Sequence, residues 1–141
     1  MNLINTILGF RNFCKVDEIK RFIHISISLD KSEDLVFSGH ILLFKTSRQQ
    51  TWIIISNIRL ICVLDDISKD NFEIRWDLDK HLVLFESKVI LEITVEPHYS
   101  RRSGIINFGE YHKNWLYTKK LFPHPKDLKQ KLLETIITEM G

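Results

Sequence analysis
Apolar residues recur along this chain at two spacings, and the changes of spacing mark its elements. In Thr51–Asp66, TWIIISNIRLICVLDD, a Trp and three Ile run into Ser56-Asn57, and apolar residues resume from Ile58 to Leu64 before Asp65-Asp66. Two β-rich runs joined by a short polar step with Asn predict a hairpin. Ile, Val and Trp suit a pleated surface, and Asn tolerates the left-handed backbone of a tight turn. The arms fall at about Thr51–Ile55 and Arg59–Leu64. Leu35–Lys45 reads as a preceding strand, with Gly39 a candidate bulge. Beyond the hairpin, Phe72, Ile74 and Trp76 alternate with Glu73 and Arg75, and Leu91, Ile93 and Val95 alternate with Glu92, Thr94 and Glu96. Further short strands are expected at Val83–Phe85, Ile105–Phe108 and Trp115–Tyr117, with a turn at Ser100–Gly104.

The longer spacing returns at both ends. After Pro123 and Pro125, Leu128, Leu132, Leu133, Ile136, Ile137 and Met140 follow at helical spacing, with Lys126, Lys129, Lys131 and Glu134 on the other face. Pro125 suits the first turn of such a helix. Within Asn2–Cys14, the positions of Leu3, Ile4, Ile7, Leu8 and Phe10 predict a short amphipathic helix. Phe22–Leu29 alternates cleanly, Ile23, Ile25, Ile27 and Leu29 against His24, Ser26 and Ser28, and reads as a strand, although Asp17–Ile23 is equally compatible with a helical turn. The expected organisation is an N-terminal appendage over residues 1–30, a helix plus an extra strand, followed by a unit over 31–141. That unit holds about seven short strands and a closing helix whose apolar face covers the open end of a bent sheet.

Composition adjusts this picture modestly. A chain of 141 residues, 44% hydrophobic and 27% charged, has the make-up of one globular core. It contains no alanine and twenty isoleucines, a balance that leans towards sheet. Cys14 and Cys62 form neither a disulfide framework nor a zinc motif, which fits a reducing compartment. No apolar run approaches the ~20 residues that cross a bilayer, and the N-terminus has no charged stretch of the kind that opens a signal peptide. The expected location is cytoplasmic, in solution or peripheral to a membrane.

Two short motifs carry a resemblance. Glu33, Leu35, Val36 and Gly39 are similar to the segment that opens the barrel in the pleckstrin-homology-like superfamily, its GRAM and bacterial branches in particular. Ser56, Asn57, Ile58, Arg59 and Leu60 are similar to the recurrent step at that family's second hairpin. The resemblance spans roughly Asp30–Met140. It implies a mainly β fold, a seven-stranded, strongly bent barrel capped by the C-terminal helix, here with a short N-terminal helix added. It also implies a non-enzymatic module that binds phosphoinositides, other lipid surfaces or proteins. Lipid-binding members hold head groups with basic residues around the first strand–strand loop, where this chain has Lys45 and Arg48. The family's closely spaced basic pair is absent, since Gln49 and Gln50 follow Arg48.

Charge is unevenly placed. His98–Lys131 carries eight Lys and Arg against Glu110 and Asp127, a net +6 in a chain of net +2. Such a stretch attracts anions if its residues converge, and scatters around a solvated surface if they do not. Lys45, Arg48, Arg101 and Arg102 are the candidate anion- or lipid-binding residues. Leu3, Ile4, Ile7, Leu8 and Phe10 are candidates for contact with a partner, or for folding back over an edge of the barrel. Tyr99, Tyr111, Trp115 and Tyr117 lie among the basic residues, but no nucleic-acid motif accompanies them. Glu96, His98, Glu110 and His112 become a metal or acid–base site only if a hairpin sets the two pairs opposite each other. No phosphate loop or nucleophile elbow occurs. We therefore expect a non-catalytic binding module without cofactor or metal, for a protein partner first and anionic membrane lipids second.

Overall fold
The computed structural model describes residues 3, 7–30, 36–37, 39–79, 94–96, 101–108 and 112–140. Helix α1 (Val16–Asp30) leads into β1 (Gly39–Lys45), β2 (Gln49–Ile55), β3 (Arg59–Asp66), β4 (Glu73–Asp79), β5 (Thr94–Glu96), β6 (Ser103–Phe108) and β7 (His112–Thr118), and α2 (Pro125–Met140) closes the chain. The first four strands form one antiparallel sheet in sequence order, and β5, β6 and β7 form a second. The fold is mainly β. Among the described residues no ladder closes the two sheets into a barrel, but they meet where β1 nears β7. There the Thr118 hydroxyl accepts from the Lys45 amide at 2.8 Å and lies 3.3 Å from the Lys45 carbonyl. No described helix is long and apolar enough to cross a membrane.

The central hairpin fails to alternate because both faces of its sheet are covered. Ile53, Ile55, Leu60 and Cys62 face the main core, with Ile41, Leu43, Trp76, Leu78, Ile106, Tyr117 and the inner face of α2. Ile54, Ile61 and Val63 face the other way, against Ile19 and Ile23 of α1, with Val16, Phe37, Trp52 and Phe72 around them. A sheet covered on both sides reads as a continuous apolar run. Ser56 shapes the turn: its hydroxyl accepts from the amides of Ile58 and Arg59, and its own amide donates to the Arg59 carbonyl. Asn57 takes a different part from the one its type suggested, exchanging hydrogen bonds with the Val36 backbone.

The strand expected at Phe22–Leu29 is helix. Ile19 and Ile23, one turn apart, are fully buried on the sheet, whereas Ile25 stands 57% exposed. Burying an Ile contributes about 1.5–3 kcal/mol, while a β-branched residue in a helix loses only a few tenths. The Lys15 carbonyl accepts from the Glu18 and Ile19 amides, and Asp17 and Glu18 complement the helix N-terminus. The helix expected over Asn2–Cys14 is also cut back. Leu3 and Ile7 are helical, but a turn at Leu8-Gly9, with Gly9 at φ +74°, leads into a stretch through Lys15 that is neither helix nor strand.

Other differences are local. Strand β1 spans Gly39–Lys45, with Val36 and Phe37 outside it and Leu35 outside the described residues, and the bulge lies between Leu42 and Phe44. Gly39 instead admits α2, since a Cβ there would stand 3.0 Å from Thr135 and Glu139. A bulge opposite Cys62–Val63 reverses the face of β4, so Trp76 and Leu78 are buried while Ile74 points outwards. On α2, Leu128, Leu132, Ile136 and Met140 are buried, but Ile137 is exposed. The strand expected at Val83–Phe85, and the start of the one expected from Val89, lie outside the described residues.

Candidate anion-binding cleft
Three chain segments converge where β1 meets β7. The first is the β1–β2 loop, held by Thr46. The Thr46 amide donates to the Gln49 carbonyl at 2.8 Å, and its hydroxyl accepts from the amides of Arg48 and Gln49. A Thr side chain closing the backbone on itself in this way makes a tight, defined loop. The second and third segments are the ends of β6 and β7. Their register pairs Ser103 with Thr118, and the Lys119 amide donates to the Arg102 carbonyl one step further out. Beyond Lys119 the chain turns sharply. The Thr118 carbonyl accepts from the amides of Leu121 and Phe122, and buried Phe122 anchors the turn.

These segments enclose an open cleft of about 970 Å³, lined by Phe44, Pro123 and a polar rim. Lys45, Arg101, Arg102, Lys119 and Lys120 stand on that rim, and Thr46, Ser47, Ser103 and Thr118 supply hydroxyls between them. Among the described residues, none of those lining it is acidic. Arg102 and Lys119 lie one step beyond the paired Ser103 and Thr118, joined by the Lys119 amide on the Arg102 carbonyl, so two like charges stand side by side. Such placement opposes folding by a few tenths of a kcal/mol per pair. The arrangement concentrates positive potential over a concave surface, where anions are drawn in.

The structure therefore brings together three of the four basic residues singled out from the sequence, Lys45, Arg101 and Arg102. Arg48 is not among the lining residues; its guanidinium lies 4.9 Å over the ring of Phe10. Lys119 and Lys120 fall within the basic stretch but are not named from the sequence as site residues, because their partnership with Arg101-Arg102 depends on how the β6–β7 hairpin pairs. The signal was nonetheless present, as two dibasic pairs flank a β-hairpin at mirrored positions.

The N-terminal segment divides into two parts. Residues 10–14 lie on the fold through Arg11, which donates to the Asp65 carboxylate at 2.5 Å, to the Asp66 carbonyl at 3.1 Å and to the Lys69 carbonyl at 2.8 Å. Asp65, wholly buried, also accepts from the Cys14 amide. A backbone relay links this strap to the β1–β2 loop, with the Arg11 amide on the Ile67 carbonyl and the Ile67 amide on the Arg48 carbonyl. Leu3, Ile7 and Leu8 do not fold back over a sheet edge; they are 73%, 74% and 52% exposed. Ile4 lies outside the described residues.

The other candidates separate. Glu96 pairs with Ile105 and His112 with Phe108, so β6 lies between their strands and these two are not set opposite each other across a hairpin. His98 and Glu110 lie outside the described residues. Tyr117 is fully buried and Trp115 packs edge-on against Trp76, so neither offers a ring to the cleft. Tyr99 and Tyr111 lie outside the described residues. Comparison with protein-family models, with curated proteins and with solved structures found no match.

Proposed function
We propose that this chain is a non-catalytic binding module of pleckstrin-homology-like architecture, and that its cleft takes the phosphorylated or otherwise anionic head groups of a membrane surface. The observation that carries the reading is the convergence on one cleft of Arg101-Arg102, which precede β6, and Lys119-Lys120, which follow β7, with Lys45 closing the third side. Crowding like charges around one cleft acts against folding, and a bound anion offsets it. The order of β1–β7 followed by a packed C-terminal helix agrees with such an architecture. The geometry thus favours an anionic surface over the protein partner that the sequence put first.

Co-sedimentation with phosphatidylserine-containing and neutral vesicles, at low and physiological salt, tests the reading. Each Lys or Arg near an anionic surface contributes on the order of 1 kcal/mol, so Lys119→Ala/Lys120→Ala should weaken binding roughly thirtyfold. Equal binding to neutral vesicles, or none to anionic ones, would sink it. A protein partner remains the second reading, favoured by Phe22 and Ile25, which stand exposed at i, i+3 on α1. Absence of vesicle binding, together with a partner capture lost on Phe22→Ser/Ile25→Ser, would promote it.

A further inference from the structure
The exposed N-terminal residues and the basic cleft share one structural element, the β1–β2 loop. Thr46 and Ser47 of that loop line the cleft, and Arg48, the next residue, holds the Phe10 ring beneath its guanidinium. Leu8 is two residues from Phe10, so its Cα lies within roughly 7–8 Å of the Phe10 Cα, and that of Ile7 within roughly 11 Å. The segment cannot swing away from the cleft as a unit, because Arg11 is tied to buried Asp65 and the Arg11–Ile67–Arg48 backbone relay fixes Phe10 against the loop. Two large aliphatic side chains, more than half in solvent, thereby follow closely on a segment tethered to the loop that lines the cleft.

Resting on the anionic-surface reading, we propose that Ile7 and Leu8 form an apolar wedge that enters the acyl boundary of an anionic bilayer while the neighbouring cleft engages its head groups. Charge complementarity identifies the occupant. Apolar groups beside a rim of Lys and Arg suit the interface of an anionic membrane, where the cations remain among head groups and the aliphatic residues leave water. The two contributions respond differently to salt. Attraction through the exposed cations is screened over about 8 Å at physiological ionic strength, whereas apolar insertion is not. The wedge thus converts a screened encounter into a retained one.

The test uses the full chain and vesicles of phosphatidylcholine with phosphatidylserine. Leu8→Trp should show fluorescence quenching by lipids brominated in the upper acyl chain, beyond that of the wild type, whose own Trp52, Trp76 and Trp115 give the baseline. Ile7→Ser/Leu8→Ser should keep the wild-type urea midpoint, because both residues are exposed, and should bind about tenfold more weakly at physiological salt while binding at low salt persists. Binding unchanged in the double-serine variant, with no added quenching in Leu8→Trp, overturns the wedge and leaves the cleft reading standing. If the wild type fails to prefer anionic vesicles, or if Arg101→Ala/Arg102→Ala binds like the wild type, the cleft reading fails and the wedge falls with it.

Discussion
Replacing Arg11 by alanine should destabilise the fold by about 3 kcal/mol, a large effect for a residue near one end of the chain. Arg11 is about one-quarter exposed, but the Asp65 side chain that it meets is fully buried. The truncation removes the guanidinium from Asp65 and frees the carbonyls of Asp66 and Lys69, leaving the Cys14 amide at 2.8 Å on the carboxylate. Breaking a buried pair by deleting one partner commonly costs about 3–5 kcal/mol. The partial exposure of Arg11 lets water into the vacated space, which sets the lower end of that range. Urea unfolding followed by Trp fluorescence measures it: with a slope of about 1.5 kcal/mol per M, the midpoint should fall by about 2 M. Asp65→Asn added to Arg11→Ala should recover part of the loss, because the stranded charge is gone while an acceptor for Cys14 remains. A shift below about 0.5 kcal/mol for Arg11→Ala, or strictly additive effects in the double variant, would refute the claim that the strap is docked through this pair.

Three further outcomes are expected. Gly104→Ala should lower Tm by roughly 5–10 °C, since a Cβ at 104 would sit 2.2 Å from Cζ of the buried Tyr117 ring; a Tm within 1 °C of wild type would contradict that packing. Burial, with the adjacent Lys20 charge, holds His40 below its usual pKa, although Asp17 opposes this; Lys20 of α1 donates to its Nδ1 at 2.6 Å, and Lys131 of α2 adds like charge. The folded state therefore takes up its proton less readily than the unfolded chain, so this contribution to stability is intact above the ordinary His pKa of about 6.5 and is lost as pH falls through the lowered value. Urea midpoints between pH 8 and pH 5 should decline less in His40→Gln than in wild type, and parallel curves would count against the contact. Burial pushes the Cys62 thiol up to about 12, so iodoacetamide at pH 8 should label it in urea and leave it intact in the native protein; native labelling at the rate of a free thiol would mean the central sheet opens.

What the sequence disclosed depended on how far apart the interacting residues lie. The β2–β3 hairpin and α2 were legible because turn chemistry at Ser56-Asn57, Pro125 at a helix start and the spacing of Leu128, Leu132 and Ile136 are local signals. Helix α1 was misread because alternation over Ile23–Leu29 mimics a strand, and only docking on the far face of the sheet makes Ile19 and Ile23 the residues that matter. The same docking explains why β2 and β3 carry apolar residues at consecutive positions. Half of the cleft was likewise non-local. Arg101-Arg102 attracted notice as a dibasic pair near a turn, but Lys119-Lys120 joins it only through the register of β6 and β7. The place of Arg48 beside the cleft was not legible because its partner, Phe10, comes from a segment 38 positions earlier whose path no local pattern fixes.

The composition of the cleft also dictates the kind of selectivity to expect. A site that discriminates stereoisomers of a head group needs buried, fixed donors at defined angles, because an unpaired polar group there is strongly penalised when the wrong isomer binds. Here the cations are long side chains on three separate segments, and Lys45, Arg101 and Lys120 are exposed residues with several staggered rotamers open to them. Such groups respond to the local density of negative charge far more than to its pattern. Vesicles matched in surface charge but differing in head group, phosphatidylserine against phosphatidylglycerol, should therefore bind with affinities within about threefold, and doubling the mole fraction of either should raise affinity more than exchanging one for the other. A tenfold preference at matched charge would mean that the hydroxyls of Thr46, Ser47, Ser103 and Thr118 act as an ordered array of donors. The charge-density account of this cleft would then be wrong.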